Sequence, residues 1–223
     1  MPRETIAHKK ERACEIERRM GEHYGTGQCS LDFRSPYELV CAVLLSAQTT
    51  DASVNIVTPE LFRRYPTPAD LASAHVEDVE KIIHRLGFYH AKAKHLIEMA
   101  QGLLTKFGGE VPNDIDKLQE LPGVGRKTAN CVMADAFHNA QGIAVDTHVF
   151  RIVHRLRLAG PSANTPDKTE KQILRLFPED TWNDVNHHLV QFGRDYCSAR
   201  APKCSECFIS DLCPWTGRDI AKK

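Results

Sequence analysis

Between Leu121 and Ala129 the chain reads LPGVGRKTA. The apolar run behind it, Ala129, Val132, Met133 and Ala136, has the spacing of one helix face. Lys127 therefore falls in the first turn of a helix. Unpaired amides and the helix dipole make that end positive, so a cation is unwelcome there. The dipole and partial burial would both lower the lysine's pKa, and a neutral amine is a nucleophile. The alternative is a lysine that stays charged and contacts phosphate; the motif alone does not choose. Gly123 and Gly125 permit backbone angles and a close approach that side chains forbid. Their amides, with those of the helix start, form a nest of donors suited to one anionic group, phosphate above all. Amide contacts of this kind position a nucleic acid without reading its bases. A tight helix–helix turn that binds nothing is the plainer reading of two glycines.

Asp146, in AVDTH, follows an apolar run and precedes a helical one. Capping is the commoner reason for an aspartate there. Aimed at a cavity, the same carboxylate would stabilise positive charge or shuttle protons. A nucleophilic amine with a carboxylate suits imine chemistry at a sugar or carbonyl carbon. A third constellation lies in the tail, where Cys197, Cys204, Cys207 and Cys213 crowd a stretch with no hydrophobic period. Four thiols so placed need a metal, and ligand count admits either structural zinc or a [4Fe-4S] cluster. Zinc ribbons usually show two C-x2-C pairs; one pair with wider flanks leans toward iron–sulfur. Arg200 and Lys203 make a small basic loop suited to phosphate. Cys41 and Cys131 sit in apolar helical runs and read as core thiols, while Cys14 and Cys29 have no evident partner.

The elements that must hold these residues read as helices almost throughout. Residues 4–23 form an amphipathic helix, with Ile6, Ala13, Ile16 and Met20 on one face. Ser35-Pro36-Tyr37-Glu38 has the pattern of a capping box and opens a largely buried helix. A helix over 52–64 follows, and Thr67-Pro68-Ala69-Asp70 opens a short one. Residues 76–86, 90–107 and 113–120 are helical, the second stopping at Gly108-Gly109. IAVDTHVF, 143–150, is a loop entering a helix rather than a strand, and 165–177 and 184–192 are helical. The helix–LGFYH–helix at 76–107 faintly echoes helix–LPGVG–helix at 113–137. No βαβ alternation appears, which excludes a Rossmann-type reading.

Composition bounds the rest. The 223 residues carry a formal net charge of +0, so any nucleic-acid site must come from local asymmetry. Hydrophobic residues at 42% and charged residues at 26% describe an ordinary globular protein with a real core. MPRETIAHKKERACEIERRM has no apolar core of a secretory signal, and no apolar run reaches membrane-spanning length. The expected compartment is the cytoplasm, where eight cysteines argue for ligands and buried thiols rather than disulfides.

LPGVGRKTAN, AVDTH and the four-cysteine spacing occur together, in order, between about Ser35 and Cys213. In this the sequence resembles the endonuclease III family of DNA repair glycosylases. The resemblance implies an all-α, two-domain helix-hairpin-helix fold with a C-terminal [4Fe-4S] cluster loop. One domain would span 29–140; the other would join 1–28 to 141–223. It implies binding of double-stranded DNA across the cleft between domains; a monomer with no membrane association is the default expectation. A damaged pyrimidine is flipped out, Lys127 attacks C1′, Asp146 assists, and β-elimination cuts 3′ to the abasic site. Cys197, Cys204, Cys207 and Cys213 would hold the cluster, with Arg200 and Lys203 on DNA beside it. Gln48 would fill the gap left by the flipped nucleotide. Phe88, Tyr89 and His90, with Gly123, Val124, Gly125 and His148, would complete the DNA contacts. Carbonyls of Gln119, Leu121 and Val124 would hold a monovalent cation. GFYH replaces the Gly-Leu-Tyr-Asn of many members, which bears on opposite-base contacts, and Ala201 replaces a basic residue of the cluster loop.

Two alternatives remain at this point. The adenine–oxoguanine mismatch glycosylase shares hairpin and cluster, but usually lacks a lysine at position 127 and has a catalytic glutamate where Ala42 stands here. It also carries a further C-terminal domain, for which 223 residues leave no room. A non-catalytic DNA-binding module would use the hairpin and a metal-stabilised tail without any covalent chemistry.

Overall fold

The computed structural model describes residues 4–215, and among them every regular element is helical. Eleven α-helices follow one another: α1 Ile6–Tyr24, α2 Pro36–Leu45, α3 Asp51–Arg64, α4 Pro68–Ala72, α5 Val76–Ile83 and α6 Tyr89–Phe107, then α7 Ile115–Leu118, α8 Arg126–Asp135, α9 Thr147–Arg155, α10 Pro166–Ile173 and α11 Trp182–Asp195. Local chemistry sets most of their starts. Thr5, Ser35, Thr50, Thr67, Asp114, Asp146 and Thr165 each accept a backbone N–H of the first turn through the side chain. Thr67 and Asp70 complete a reciprocal capping box. At α2 the box is only half made: Ser35 caps, but Glu38 reaches past it to the Arg34 N–H at 2.7 Å.

Several boundaries differ from the periodic pattern, among them the end of α10, which stops at Ile173 rather than Phe177 as Leu176 N–H bonds Ile173 C=O. α5 ends at Ile83 rather than Leu86, because an i→i+3 bond from Leu86 N–H to Ile83 C=O turns the chain toward Phe88. α7 is a single turn, since Asp114 accepts from both Asp116 and Lys117 N–H and tight bonds to Lys117 and Leu118 close its end. α11 opens at Trp182, and its last turn runs to Asp195.

The chain divides into two compact units, Cys29–Gln141 and the flanking segments before and after it. The core of Cys29–Gln141 includes Leu39, Leu45, Leu96, Met99, Leu103 and Met133, all fully buried. Each such side chain contributes roughly 1.5–3 kcal/mol of burial. In the other unit α1 packs against α11, and α11 against α9, around Ile16, Met20, Val149, Ile152 and Val185. Among the described residues no helix is long and apolar enough to cross a membrane.

Candidate active site and metal centre

The α7–α8 hairpin is tight. Leu121 N–H bonds Leu118 C=O and Val124 N–H bonds Leu121 C=O, both at 3.1 Å. Of the three carbonyls at Gln119, Leu121 and Val124, that of Leu121 thus already accepts one amide. Leu121 and Val124 are buried and anchor the turn; Gly123 and Gly125 are exposed. Gly123 has φ +78°, and a Cβ there would stand 3.3 Å from Leu44 Cδ2. From beneath, Gly102 of α6 admits the turn: a Cβ on it would lie 3.0 Å from Pro122 Cδ. Gly125 begins α8 with no side chain capping the helix, and a Cβ on Gly125 would meet nothing within 4 Å. The donor-bearing start of α8 therefore faces open space.

Lys127 lies in the first turn of α8, where the periodicity puts it, but it is exposed rather than partly buried. The reason is angular. The inner face of α8 carries Ala129, Val132 and Met133, and Lys127 stands about 200° around the helix from Ala129. The desolvation half of the sequence argument has no support here. What the structure provides is an accessible amine with no hydrogen bond or ion pair among the described residues.

Two further projections belong to the same unit. Gln48 is exposed and left-handed at φ +53°, in the turn between α2 and α3. Phe88, at φ +59° and 68% exposed, precedes α6. Tyr89 is half-buried, its ring centroid 4.0 Å from that of His90, and His90 Nδ1 pairs with Glu80 at 2.8 Å. Lys92, which sequence reasoning missed, lies buried behind both turns; its Nζ donates to Thr49 Oγ1 at 2.5 Å, and burial pulls its pKa down. The signal was available: Lys92 stands at a core position of the stripe Leu96, Met99, Leu103.

In the other unit Asp146 is the N-cap of α9. Its Oδ1 accepts the His148 and Val149 amides, both at 2.8 Å, and its Oδ2 lies 2.9 Å from His148 Nδ1. The capping reading is therefore correct, and a half-buried carboxylate–imidazole pair is added to it. Asn186, also missed, donates Nδ2–H to Ala144 C=O at 2.7 Å and holds the irregular segment that leads to Asp146.

The cysteine tail closes on itself beside α9. Cys197, Cys204, Cys207 and Cys213 line one cavity with Ile152, Phe192 and Ile209. Burial pushes the Cys207 thiol up to about 11, and the other three thiols push the same way. A cationic metal core relieves that penalty by replacing the protons. By ligand count four thiols on one cavity admit either a zinc or an iron–sulfur cluster. A cavity ringed by four thiols, apolar on its inner side, suits a larger all-thiolate cluster. Arg155 at the end of α9 donates to Cys197 Sγ at 3.2 Å and to the Ser198 and Ala199 carbonyls, and it stacks on Trp215 at 4.3 Å. Nothing in the tail's spacing announced Arg155. Arg200 and Lys203 are both exposed, and Lys203 lies 6.0 Å from the Tyr196 ring.

A hairpin with a lysine at the second helix start, a capping aspartate and a four-thiol loop define a class, and comparison with known proteins agrees. Residues 41–179 match the model of the HhH-GPD superfamily of base excision DNA repair proteins, and 197–213 match the iron–sulfur binding domain of endonuclease III. An endonuclease III of Synechocystis is 43% identical over 94% of each chain. The solved structure of a non-covalent endonuclease III–DNA complex superposes with TM-score 0.88 at 39% identity, covering 96% of this chain and 99% of that one. A trapped covalent endonuclease III–DNA intermediate does so with TM-score 0.85 at 39% identity, covering 95% and 97%. The chain belongs to the endonuclease III family. It is a DNA glycosylase and abasic-site lyase of base excision repair, and it carries a [4Fe-4S] cluster.

Proposed function

We propose that the chain removes oxidised pyrimidines from double-stranded DNA through Lys127 and then nicks the strand 3′ to the abasic site. The observation that carries this is the exposed, uncommitted amine of Lys127 at the open start of α8. The relative trapped as a covalent DNA intermediate supports the covalent route. In this reading the damaged nucleotide is flipped from the stack. The Nζ lone pair of Lys127 forms a bond to C1′, and the glycosidic bond breaks with its electron pair leaving on the base, which takes up a proton. The sugar ring opens to an imine. Loss of a C2′ proton then expels the 3′ phosphate, and water later releases the enzyme. Asp146 stabilises positive charge at the sugar and moves protons, with His148 orienting its carboxylate.

Gly123 and Gly125 present amides to one backbone phosphate, with Val124 anchoring the turn between them through its N–H bond to Leu121 C=O, beside a monovalent cation held by the carbonyls of Gln119, Leu121 and Val124. Gln48 enters the space vacated by the flipped nucleotide, Phe88, Tyr89 and His90 form the second inserting loop and bear on the opposite base, and Arg200 and Lys203 contact phosphate. The cluster, held by Cys197, Cys204, Cys207 and Cys213, fixes the loop that bears those two cations. The domains act as 29–140 and 1–28 with 141–223. A cytoplasmic location is supported by eight cysteines with no disulfide among them.

Borohydride trapping tests the reading on a duplex with one thymine glycol and on an abasic duplex. Wild type is expected to form a stable adduct with both, and Lys127→Ala with neither while still binding DNA. Strand cleavage retained by Lys127→Ala would remove the nucleophile assignment. No adduct from folded, cluster-loaded wild type would favour a DNA-binding module.

A further inference from the structure

Two exposed turns of Cys29–Gln141 are held in backbone conformations their residues disfavour. Gln48 and Phe88 have φ +53° and +59°. Neither is glycine, so each turn persists only where its surroundings over-determine it. Both turns meet one residue. The Lys92 N–H makes the first-turn helix bond to Phe88 C=O at 3.1 Å, as any residue at 92 would, and Lys92 Nζ donates across to Thr49 Oγ1 at 2.5 Å. Thr49 is in turn held by its own N–H to Ser46 C=O at 3.1 Å.

Lys92 is only 6% exposed, and no group of opposite charge is bonded to its amine among the described residues. Burying an amine against a single hydroxyl is a poor source of stability, since a methionine would fill the same volume without desolvating a cation. What the lysine alone supplies is the tether from α6 to the Gln48 turn. Burial pulls its pKa down, and the amine still donates to Thr49 in either protonation state.

We propose that Lys92 is a positioning residue that locks the Gln48 and Phe88 turns into one rigid projection, so that both enter the duplex together. The inference rests on the DNA-inserting roles proposed for Gln48 and Phe88. Its consequence is selective. A rigid projection matters where a paired base must be unpaired and unstacked, and matters little where the lesion has no partner base.

The test is single-turnover base removal by the cluster-loaded full chain. Thymine glycol is placed opposite adenine in one duplex and opposite a tetrahydrofuran abasic analogue in another. Lys92→Met is expected to slow the paired substrate roughly tenfold or more and the unpaired one about twofold or less. Thr49→Val should show the same split, Thr49→Ser should restore the paired rate, and the double variant should be no slower than either single one. A merely structural Lys92 would slow both substrates alike, and that result, or an unchanged paired rate, overturns the proposal. Should Lys92→Met fail to fold, Thr49→Val decides by the same split. Gln48→Ala and Phe88→Ala separate the two levels. If both retain the paired rate, the insertion reading itself falls and the tether with it. If they lose it while Lys92→Met does not, the tether alone is wrong.

Discussion

Asp146 does two jobs with two oxygens, and a substitution can separate them. Oδ1 caps α9 through the His148 and Val149 amides, while Oδ2 meets the His148 ring. Asparagine caps a helix about as well as aspartate, so Asp146→Asn should change stability by about 0.5 kcal/mol or less, whereas alanine should cost ~1 kcal/mol. If the charge serves the reaction, Asp146→Asn should still lower the rate of base removal by about 10² or more. Urea unfolding and single-turnover kinetics on the same preparations read the two effects. An Asp146→Asn enzyme of full activity would leave Asp146 a cap and nothing more. Lys127 shows the complementary point: its place in the first turn of α8 was legible from Ala129, Val132 and Met133, but its exposure was misjudged.

The elements depend on how closely they approach. α6 can lie under the hairpin because Gly102 has no side chain: a Cβ would stand 3.0 Å from Pro122 Cδ and 3.2 Å from Leu121 Cδ2. Proline in a tight turn cannot swing aside as a flexible side chain would. Gly102→Ala gains about 1 kcal/mol of helix propensity and loses roughly 1–3 kcal/mol to overpacking. A net loss on the order of 1 kcal/mol is expected, measured by denaturant midpoint; a gain would mean that the hairpin shifts to make room. Helix existence was readable here, since caps such as Ser35, Thr67 and Thr165 act within three residues of themselves. Helix ends were less so. α5 stops at Ile83 to serve the Phe88 turn, a demand that no local propensity encodes.

At the scale of the molecule the two ends of the chain meet in the unit outside Cys29–Gln141. Glu17 of α1 and His188 of α11, 171 residues apart, pair at 2.7 Å and are nearly fully buried. Burial opposes charge on His188, but the Glu17 carboxylate and the Gly25 carbonyl outweigh it and hold its pKa above the ordinary 6.5. Burial likewise holds the Glu17 carboxyl above the usual carboxylate range. Both shifts mean that the folded state binds protons more tightly than the unfolded one. The pair's contribution to stability is therefore full below the unfolded pKa values and is lost as pH rises through the folded ones. Thermal midpoints should fall as pH climbs above the ordinary His value, and Glu17→Gln should flatten that slope. A slope unchanged in Glu17→Gln would place its origin elsewhere.

What the chain's order of residues determined by itself was local and repetitive. Periodic apolar positions and capping residues specify α-helices, LPGVG specifies the hairpin with Lys127 after it, and four cysteines without a hydrophobic period specify a metal loop. These signals reach a few residues along the chain and survive being read in isolation. Tertiary structure alone decided which side chains were taken out of water and which met across distance. It buried Lys92 against Thr49, 43 residues away, and brought Arg155 to Cys197, 42 residues away. It left Lys127 in the open and bent Gln48 and Phe88 into left-handed turns. Such outcomes depend on what packs from remote segments, and no spacing within one segment carries that information.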